Sequence, residues 1–489
     1  MELELDVHPD DIAPLLKPRG LDFPRIGRAR GRVVGRRWYD GGDGELVRRG
    51  LALSEQGDVW TLERSVPRKG FWPPGAPAPV LETALDRLLL GTELPRELVS
   101  VAEFAGTETT WSVTVGTEIV VLRMVRGEVP SDPIARKICR LTVSGDDGAV
   151  LAVARAIATR YRALPPDAAI AARARAAAGG DPPEARHLGP PNLPETDDPT
   201  VGQTFRHVLG QLTDVILYWA PLAAGGQNGP EPVHQIRVAV RRARSVVTAF
   251  REVLGGPALE TATAGLRTLG TCLGPARDWD VFLGETAPTI GAQFPGDSHL
   301  AALCEAAEHH RRESHAALTE YLGGAAFRLT CVELAWLAGS DRWYASNDPL
   351  RPAAADMPLA EFAPGIVQKR WKKLLSAGKH LERLDIPALH GLRLRAKRTR
   401  YAAEIVADLY PGKTTERFLR RLSALQATLG VLNDGAVAHG LMGRLGGADG
   451  PFGYAVGVVL GYTAAASATI RPDIALAWRK FRRQSAFWG

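Results

Sequence analysis

His234-Gln235-Ile236-Arg237-Val238-Ala239-Val240-Arg241-Arg242-Ala243-Arg244 returns 156 residues later as His390-Gly391-Leu392-Arg393-Leu394-Arg395-Ala396-Lys397-Arg398-Thr399-Arg400. A second shared element follows each copy at the same offset. It reads Leu273-Gly274-Pro275-Ala276-Arg277-Asp278 in the first copy and Leu429-Gly430-Val431-Leu432-Asn433-Asp434 in the second. Two elements recurring at one offset mark an internal duplication, so the second half of the chain reads as one structural unit written twice.

Laid on a helix at about 100° per residue, His234, Arg237, Arg241 and Arg244 fall within an arc of about 80°. Ile236, Val240, Ala243, Val247 and Phe250 fall on the opposite side, which predicts an amphipathic helix with an apolar stripe inward and a cationic stripe outward. The second copy repeats this with His390, Arg393, Lys397 and Arg400, backed by Leu392, Ala396, Ala403 and Val406. Arg242 and Arg398 flank the stripes at matching positions. A solvated helix face normally mixes charge signs and gains from i,i+4 pairs. Neither eleven-residue stretch holds an acid, so neighbouring cations repel unless an anion neutralises them. That pattern points to a densely anionic ligand. The histidines admit two roles: donor to a phosphate oxygen, or helix cap and interhelical hydrogen-bond partner.

From Val201 on, almost every segment has a helical pattern, with breaks at 221–232, 255–257, 287–298, 339–358, 385–387 and 445–451. This gives about four helices per repeat, repeat 1 over about 201–340 and repeat 2 over about 358–489, expected as two four-helix bundles with pseudo-two-fold symmetry. Further cations are candidates for the same surface: Lys369, Arg370, Lys372 and Lys373, then Arg479, Lys480, Arg482 and Arg483, with Arg311, Arg312 and Arg328 in the first repeat. Arg277-Asp278-Trp279-Asp280 and Asn433-Asp434 read instead as helix caps or ties between repeats. They hold too few convergent carboxylates for a metal site, and no metal or cofactor is expected.

Charge follows the repeat. The net charge of +6 divides into +9 over residues 201–489 and −3 over residues 1–200. A chain of 489 residues with 45% apolar and 23% charged residues reads as a soluble protein of two or more domains. Cys139, Cys272, Cys304 and Cys331 form no C-x-x-C pair, which fits small core residues in a reducing cytoplasm. The acidic start Met1-Glu2-Leu3-Glu4-Leu5-Asp6 is unlike a signal peptide. Residues 450–470 carry no charge, but they are rich in Gly, Ala, Ser and Thr, and the expectation is a buried, tightly packed helix rather than a membrane insertion.

Residues 1–178 read as an α+β domain. Residues 33–39, 60–66, 118–124 and 138–143 have strand character, and 81–90 and 148–162 read as helices. Residues 179–200 combine Pro, Gly and acids without periodicity and are assigned as a linker.

The doubled His/Arg elements, the doubled Leu-Gly-x-x-[Arg/Asn]-Asp elements and the basic tail Trp478-Arg479-Lys480-Phe481-Arg482-Arg483 resemble the CHAD family, the conserved-histidine α-helical domain, over 201–489. The resemblance implies two four-helix bundles whose basic surface binds inorganic polyphosphate. His234, Arg237, Arg241, Arg242 and Arg244 would form one half of that surface. His390, Arg393, Lys397, Arg398 and Arg400 would form the other, with Arg370, Lys373, Arg479, Arg482 and Arg483 extending it. The N-terminal half resembles a CYTH domain, the antiparallel β-barrel of the triphosphate tunnel fold. Glu2-Leu3-Glu4-Leu5-Asp6 stands where that family has E-x-E-x-K, and Trp38-Tyr39-Asp40 and Leu46–Leu53 resemble its next strands. The departures point to a degenerate domain without hydrolysis. Asp6 replaces the lysine, Leu53-Ser54-Glu55-Gln56 lacks an arginine pair, and Arg123, Arg126, Arg136, Lys137 and Arg140 stand where inward carboxylates are expected.

The leading reading is therefore a non-catalytic polyphosphate binder, for which association with polyphosphate granules would use the same surface. A nucleic-acid binder has compatible charge. It is disfavoured because only Tyr401 adjoins the basic helices as a stacking platform and only Gln235 offers an amide for base edges. A triphosphate hydrolase acting through residues 1–178 is disfavoured by the depleted carboxylates.

Overall fold

The computed structural model describes residues 1–64, 94–95, 97–131, 135–180, 192–194, 196–226, 229–251, 253–340 and 354–489. The helix expected over 81–90 and most of the expected linker lie outside the described residues. Eight strands build the N-terminal half: β1 (Glu2–Val7), β2 (Arg25–Asp40), β3 (Leu51–Gln56), β4 (Val59–Arg64), β5 (Val99–Val115), β6 (Glu118–Val129), β7 (Arg136–Ser144) and β8 (Ala163–Leu164). They form one antiparallel sheet in the order β4-β3-β2-β5-β6-β7-β1-β8, with β4 and β8 at its ends among the described residues.

Three expected strand segments fall in β2, β6 and β7, and residues 60–64 of the fourth fall in β4, its remainder lying outside the described residues. The long β5 was not expected, for a physical reason. Its middle, Gly106-Thr107-Glu108-Thr109-Thr110, has no alternating apolar pattern, and burial alternates only near its ends, at Ala102 and Phe104 and at Trp111 and Val113. The strand is held by pairing with β2 on one side and β6 on the other rather than by side-chain periodicity.

One sheet face carries Leu3, Leu5, Leu122, Met124, Leu141 and Val143, which belong to a core that continues into the helical half. The connecting elements are α3 (Asp147–Arg160), after α1 (Pro9–Leu16) and α2 (Glu45–Arg48), and α10 (Ala325–Gly339). Across this seam Trp336 Nε1 donates to Asp147 O at 2.8 Å and Arg328 Nε donates to Ala158 O at 2.8 Å. Arg155 pairs with the buried Glu333. Arg328 is therefore a seam residue, not part of an exposed basic surface.

The opposite sheet face carries Glu4, Asp6 and Arg140 and is covered in part by α4 (Ile170–Ala177), whose Ala171 and Ala174 pack on Val34, Trp38, Phe104 and Ile138. Arg140 is 2% exposed. It donates to Asp6 Oδ1 at 2.6 Å, to Glu4 Oε2 at 2.9 Å and to Ala168 O at 2.9 Å. Arg173 from α4 pairs with Asp6 at 2.7 Å and also with Asp167. Burial pushes the Glu4 carboxyl up despite Arg140.

The helical half runs α5 (Val201–Gly225), α6 (Glu231–Phe250), α7 (Pro257–Val281), a π-helical turn (Phe282–Thr286), α8 (Ala287–Gly291), α9 (Ser298–Gly323) and α10. It continues with α11 (Leu359–Ala377), α12 (Ile386–Val406), α13 (Lys413–Arg444), α14 (Gly453–Thr469) and α15 (Arg471–Arg482). Local chemistry sets the boundaries. Thr200 and Gln203 form a capping box at α5, Asp385 caps α12 through Ala388 N, and Gly226 ends α5 in the left-handed region at φ 66°. Each half thus holds five helices of more than ten residues among the described ones, not the four expected. The fifth helices, α10 and α15, were merged by the sequence reading with their predecessors.

The expectation for residues 450–470 is corrected. In α14 only Ala455, Val456 and Val459 are buried, and Tyr454 is 56% exposed. The helical stretch Gly453–Arg482 is long and apolar enough to cross a membrane by length and composition, one 18-residue window within it having mean hydropathy 1.3 and being 17% buried. This is weak ground for a membrane span, since one side of α14 packs on α13 and α9 and the stretch contains Arg471 and Asp473.

Candidate functional site: two cationic grooves flanking α12

The apolar stripes behave as the periodicity requires. Ile236, Val240, Ala243, Val247 and Phe250 on α6, and Leu392, Ala396, Ala403 and Val406 on α12, are all at most 3% exposed. The two helices touch each other, so both cationic stripes belong to one region. The contact is polar at its centre. Arg242, 7% exposed, donates to Glu404 Oε2 at 3.1 Å and lies over the Tyr401 ring at 5.6 Å. Arg400 reaches Glu404 Oε1 at 3.2 Å and lies over the same ring at 5.4 Å. Arg242 therefore joins the two repeats, while its sequence counterpart Arg398 is exposed.

A central groove of about 230 Å³ opens between the repeats. Its lining brings His234, Arg237 and Arg241 from α6 together with Arg277 and Asp278 from α7, Glu285 from the π-helical turn, Arg393 from α12 and Asp434 from α13. Arg237 pairs with Asp278 at 3.4 Å, and Arg277 pairs with Glu285 at 3.6 Å. Gly274 on α7 lies beside Arg237; a Cβ there would meet its Nη1 at 3.5 Å, an ordinary contact. Gly270 lies likewise beside Arg244, at 3.7 Å.

Electrostatics in this groove are those of crowded like charge. Burial, then Arg277, lowers the His234 pKa below its ordinary 6.5, so the ring is neutral at pH 7. Burial also lowers Arg237 and Arg393. Lys397 is the most perturbed. Burial, followed by Arg241, Arg393, Arg237 and Arg400, brings it from 10.5 down to about 7. Burial raises the Asp278 carboxyl, with Arg237 opposing.

A second, outer groove of about 920 Å³ lies between α11, α12 and the end of α6. Lys369, Arg370, Lys372 and Lys373 from α11 and Arg395 and Arg398 from α12 line it, and Gly365 opens its floor. Arg370 Nη1 donates to Ile366 O at 3.1 Å along its own helix.

The expected site residues therefore divide. His234, Arg237, Arg241 and Arg393 share the central groove, with Lys397 against the same cations. Arg370, Lys373 and Arg398 share the outer one. Arg244 is exposed at the α7 side, and His390 is exposed and lines neither groove. Neither histidine caps its helix: the capping positions are Pro230 and Asp385. Arg479, Arg482 and Arg483 are exposed on and just after α15, and they line neither groove. Arg311 is tied to Glu308 at 2.8 Å and Asp280 at 3.2 Å. The Leu-Gly-x-x-[Arg/Asn]-Asp elements do not cap helices. They lie inside α7 and α13, where Arg277, Asp278 and Asp434 line the central groove. Sequence reasoning missed this although the signal was present: the acids recur at the same offset as the basic stripes. Among the described residues no group of three or more His, Cys, Asp or Glu could hold a metal ion.

Comparison with known proteins agrees with this architecture. Residues 207–443 match the family model described as "CHAD domain". No curated protein matches. The crystal structure of the CHAD domain from the plant Ricinus communis is similar at 28% identity and TM-score 0.53, covering 61% of this chain and 98% of that one. PptA from Streptomyces chartreusis is similar at 16% identity and TM-score 0.44, covering 57% of this chain and 100% of that one. The helical half of this chain belongs to the CHAD domain family.

Proposed function

We propose that this protein binds inorganic polyphosphate through the basic surface of its helical half and performs no chemistry on it. One observation carries the reading: cations from both sequence copies, Arg237 and Arg241 with Arg393, converge on one groove, with Lys397 against the same cations. A linear chain of tetrahedral phosphates presents charge and oxygens without sequence, which suits Arg forks and Lys ammoniums. The matching order of five long helices, the first four pairs starting 155–158 residues apart, supports duplicated bundles related by pseudo-two-fold symmetry. The test is binding of long-chain polyphosphate to the full chain across a salt titration, where affinity falls steeply with salt. Charge reversal at Arg241 and Lys397 together weakens it; undiminished binding by that variant refutes the stripes as the site.

For the N-terminal half the proposal is an inactive CYTH-like domain. The acids at the start of β1 are not free to gather a divalent cation, because Arg140 and Arg173 neutralise Glu4 and Asp6 inside the protein. Metal-dependent release of phosphate from triphosphate or ATP by the purified protein would overturn this reading. The proposed setting is the cytoplasm, at sites where polyphosphate accumulates.

A further inference from the structure

Phe282, 2% exposed, lines two cavities at once. One is the central cationic groove. The other is an apolar pocket of about 350 Å³ bounded by the π-helical turn, α8, the start of α9 and α14. Ile290, Phe294, Leu300, Leu303 and Val459 complete its large apolar lining. The pocket indents a small core, separate from the main one, that joins the two sequence copies. Phe282, Ile290 and Leu303 come from the first copy and Leu441, Val456 and Val459 from the second. Folded interiors are close-packed and hold few voids larger than a water molecule. Ligand pockets begin at about 300 Å³. Among the described residues the polar side chains of the lining are Asp297, Ser298 and Cys304. Asp297 is engaged as the cap of α9, accepting from His299 N at 2.8 Å and Leu300 N at 2.9 Å, and a thiol is a weak donor. Water therefore gains little there, and an apolar ligand gains by displacing it.

We infer that this pocket binds a small, uncharged apolar molecule, and that its occupancy weakens anion binding in the central groove. The coupling rests on the polyphosphate reading; the pocket itself does not. Charge sets the ligand class. The N–H groups of Leu300 and His299 hold the Asp297 carboxyl below its usual range, so it is ionised at neutral pH and disfavours an anionic head. The Tyr454 hydroxyl and His299 also stand against that carboxylate, so a cationic head gains little.

The π-helical turn links the two cavities. Phe282 opens it, and Glu285 and Thr286 of the same turn line the central groove, where Glu285 pairs with Arg277 at 3.6 Å. Single π-turns inside helices occur often at functional sites. A ligand seated against Phe282 presses the ring toward the groove, which holds only about 230 Å³, and moves Glu285 and Arg277 with it. The pocket is also built from both copies, as is the groove, with Arg237 and Arg241 from one and Arg393 from the other. A wedge in the joint therefore alters the spacing of the cations that an anion must bridge.

The experiment uses the full chain and N-phenyl-1-naphthylamine, a neutral fluorophore that brightens in apolar surroundings and has no charge to offer the arginines. Cys304, a free and half-buried thiol in the lining, reports where the probe sits. At about ten times its Kd the probe should slow alkylation of Cys304 about tenfold, read by peptide mass spectrometry, and leave Cys272 unchanged. Ala301→Trp, at an exposed position in the lining, should fill the pocket and remove both the fluorescence and the protection, with a thermal melt to show that it is folded. Tripolyphosphate should lower the affinity for the probe about fivefold or more, and the probe should lower that for tripolyphosphate by the same factor, because coupling is reciprocal. No binding by the probe, binding that leaves Cys304 unprotected, or better protection by dodecanoate than by the neutral probe overturns the pocket. Equal probe affinity with and without tripolyphosphate overturns the coupling. If tripolyphosphate itself fails to bind, the polyphosphate reading and the coupling fall together, whereas protection of Cys304 still decides the pocket.

Discussion

Lys397 should take up a proton when a phosphate anion binds beside it, and that proton can be counted. The ammonium is half-buried, and burial followed by Arg241, Arg393, Arg237 and Arg400 lowers its pKa to about 7. Asp278 and Asp434 line the central groove together with Arg237, Arg241 and Arg393. An anion set against these cations reverses the repulsion and moves Lys397 back toward an ordinary lysine value of about 10.4. The free site is then mostly neutral at pH 8 and the bound site mostly charged, so binding draws in about 0.9 proton at that pH. The sign follows: affinity weakens as pH rises above about 7, by up to about tenfold per pH unit. His234 does not confuse the window, because its pKa is lowered below 6.5 and its own uptake falls at more acidic pH. Titration calorimetry with tripolyphosphate at pH 8, in two buffers of unlike ionisation enthalpy, reads the proton count directly. Lys397→Met should abolish the uptake and weaken affinity most below about pH 7, with the loss shrinking as pH rises toward about 10.4. Lys397→Arg should flatten the pH profile and bind more tightly than wild type above pH 8. Equal uptake by wild type and Lys397→Met, or no uptake by either, refutes the argument.

Four further outcomes are expected. Glu404→Ala removes the carboxylate that Arg242 and Arg400 share and should cost about 3–5 kcal/mol in denaturant unfolding, whereas Arg242→Met with Glu404→Met should recover most of that loss. Arg140→Met leaves Glu4 and Asp6 facing each other in a buried site. It should lower the melting temperature at pH 7, with the deficit shrinking as pH falls and those carboxyls protonate. Gly378→Ala places a Cβ 2.3 Å from the Trp478 ring and should cost about 1–3 kcal/mol by prising α15 from the end of α11. For Lys397→Met, the wild-type stability loss between about pH 10.4 and pH 7, where the folded lysine resists the proton that the unfolded one holds, should disappear from a plot of melting temperature against pH.

The doubled helix was legible because two independent codes agreed on it. The 3.6-residue period placed Ile236, Val240 and Leu392 inside, and the unbroken run of one charge sign placed Arg237, Arg241 and Lys397 at a ligand-facing surface. What the period could not show is which cations share a groove. Arg398 and Arg242 occupy matching positions in the two copies, yet Arg242 is buried against Glu404 because α12 crosses α6 there, while Arg398 faces outward. That difference arises from tertiary packing between the copies, which no local pattern encodes. Asp278 and Asp434 were misread for the opposite reason. An Asp near a helix-breaking Gly-Pro resembles a cap, but Pro275 is accommodated within α7 and the acid stays on the helix face. Strand β5 escaped notice because a polar strand paired on both sides needs no apolar alternation, and α14 was placed inside because an uncharged Gly/Ala sequence suits a tight interior as well as an exposed flank.

The seam between the sheet and α10 bears on how this protein should be handled. Phe327, Leu334 and Leu337 of α10 and Leu3, Leu5 and Val150 beneath the sheet belong to one dry interior. Arg328 and Trp336 satisfy backbone carbonyls that would otherwise end in apolar surroundings. Cutting the chain between its halves would strip an oily flank from each piece, so an isolated helical half should be sticky and short-lived in solution. The N-terminal half is therefore a permanent buttress for the helices.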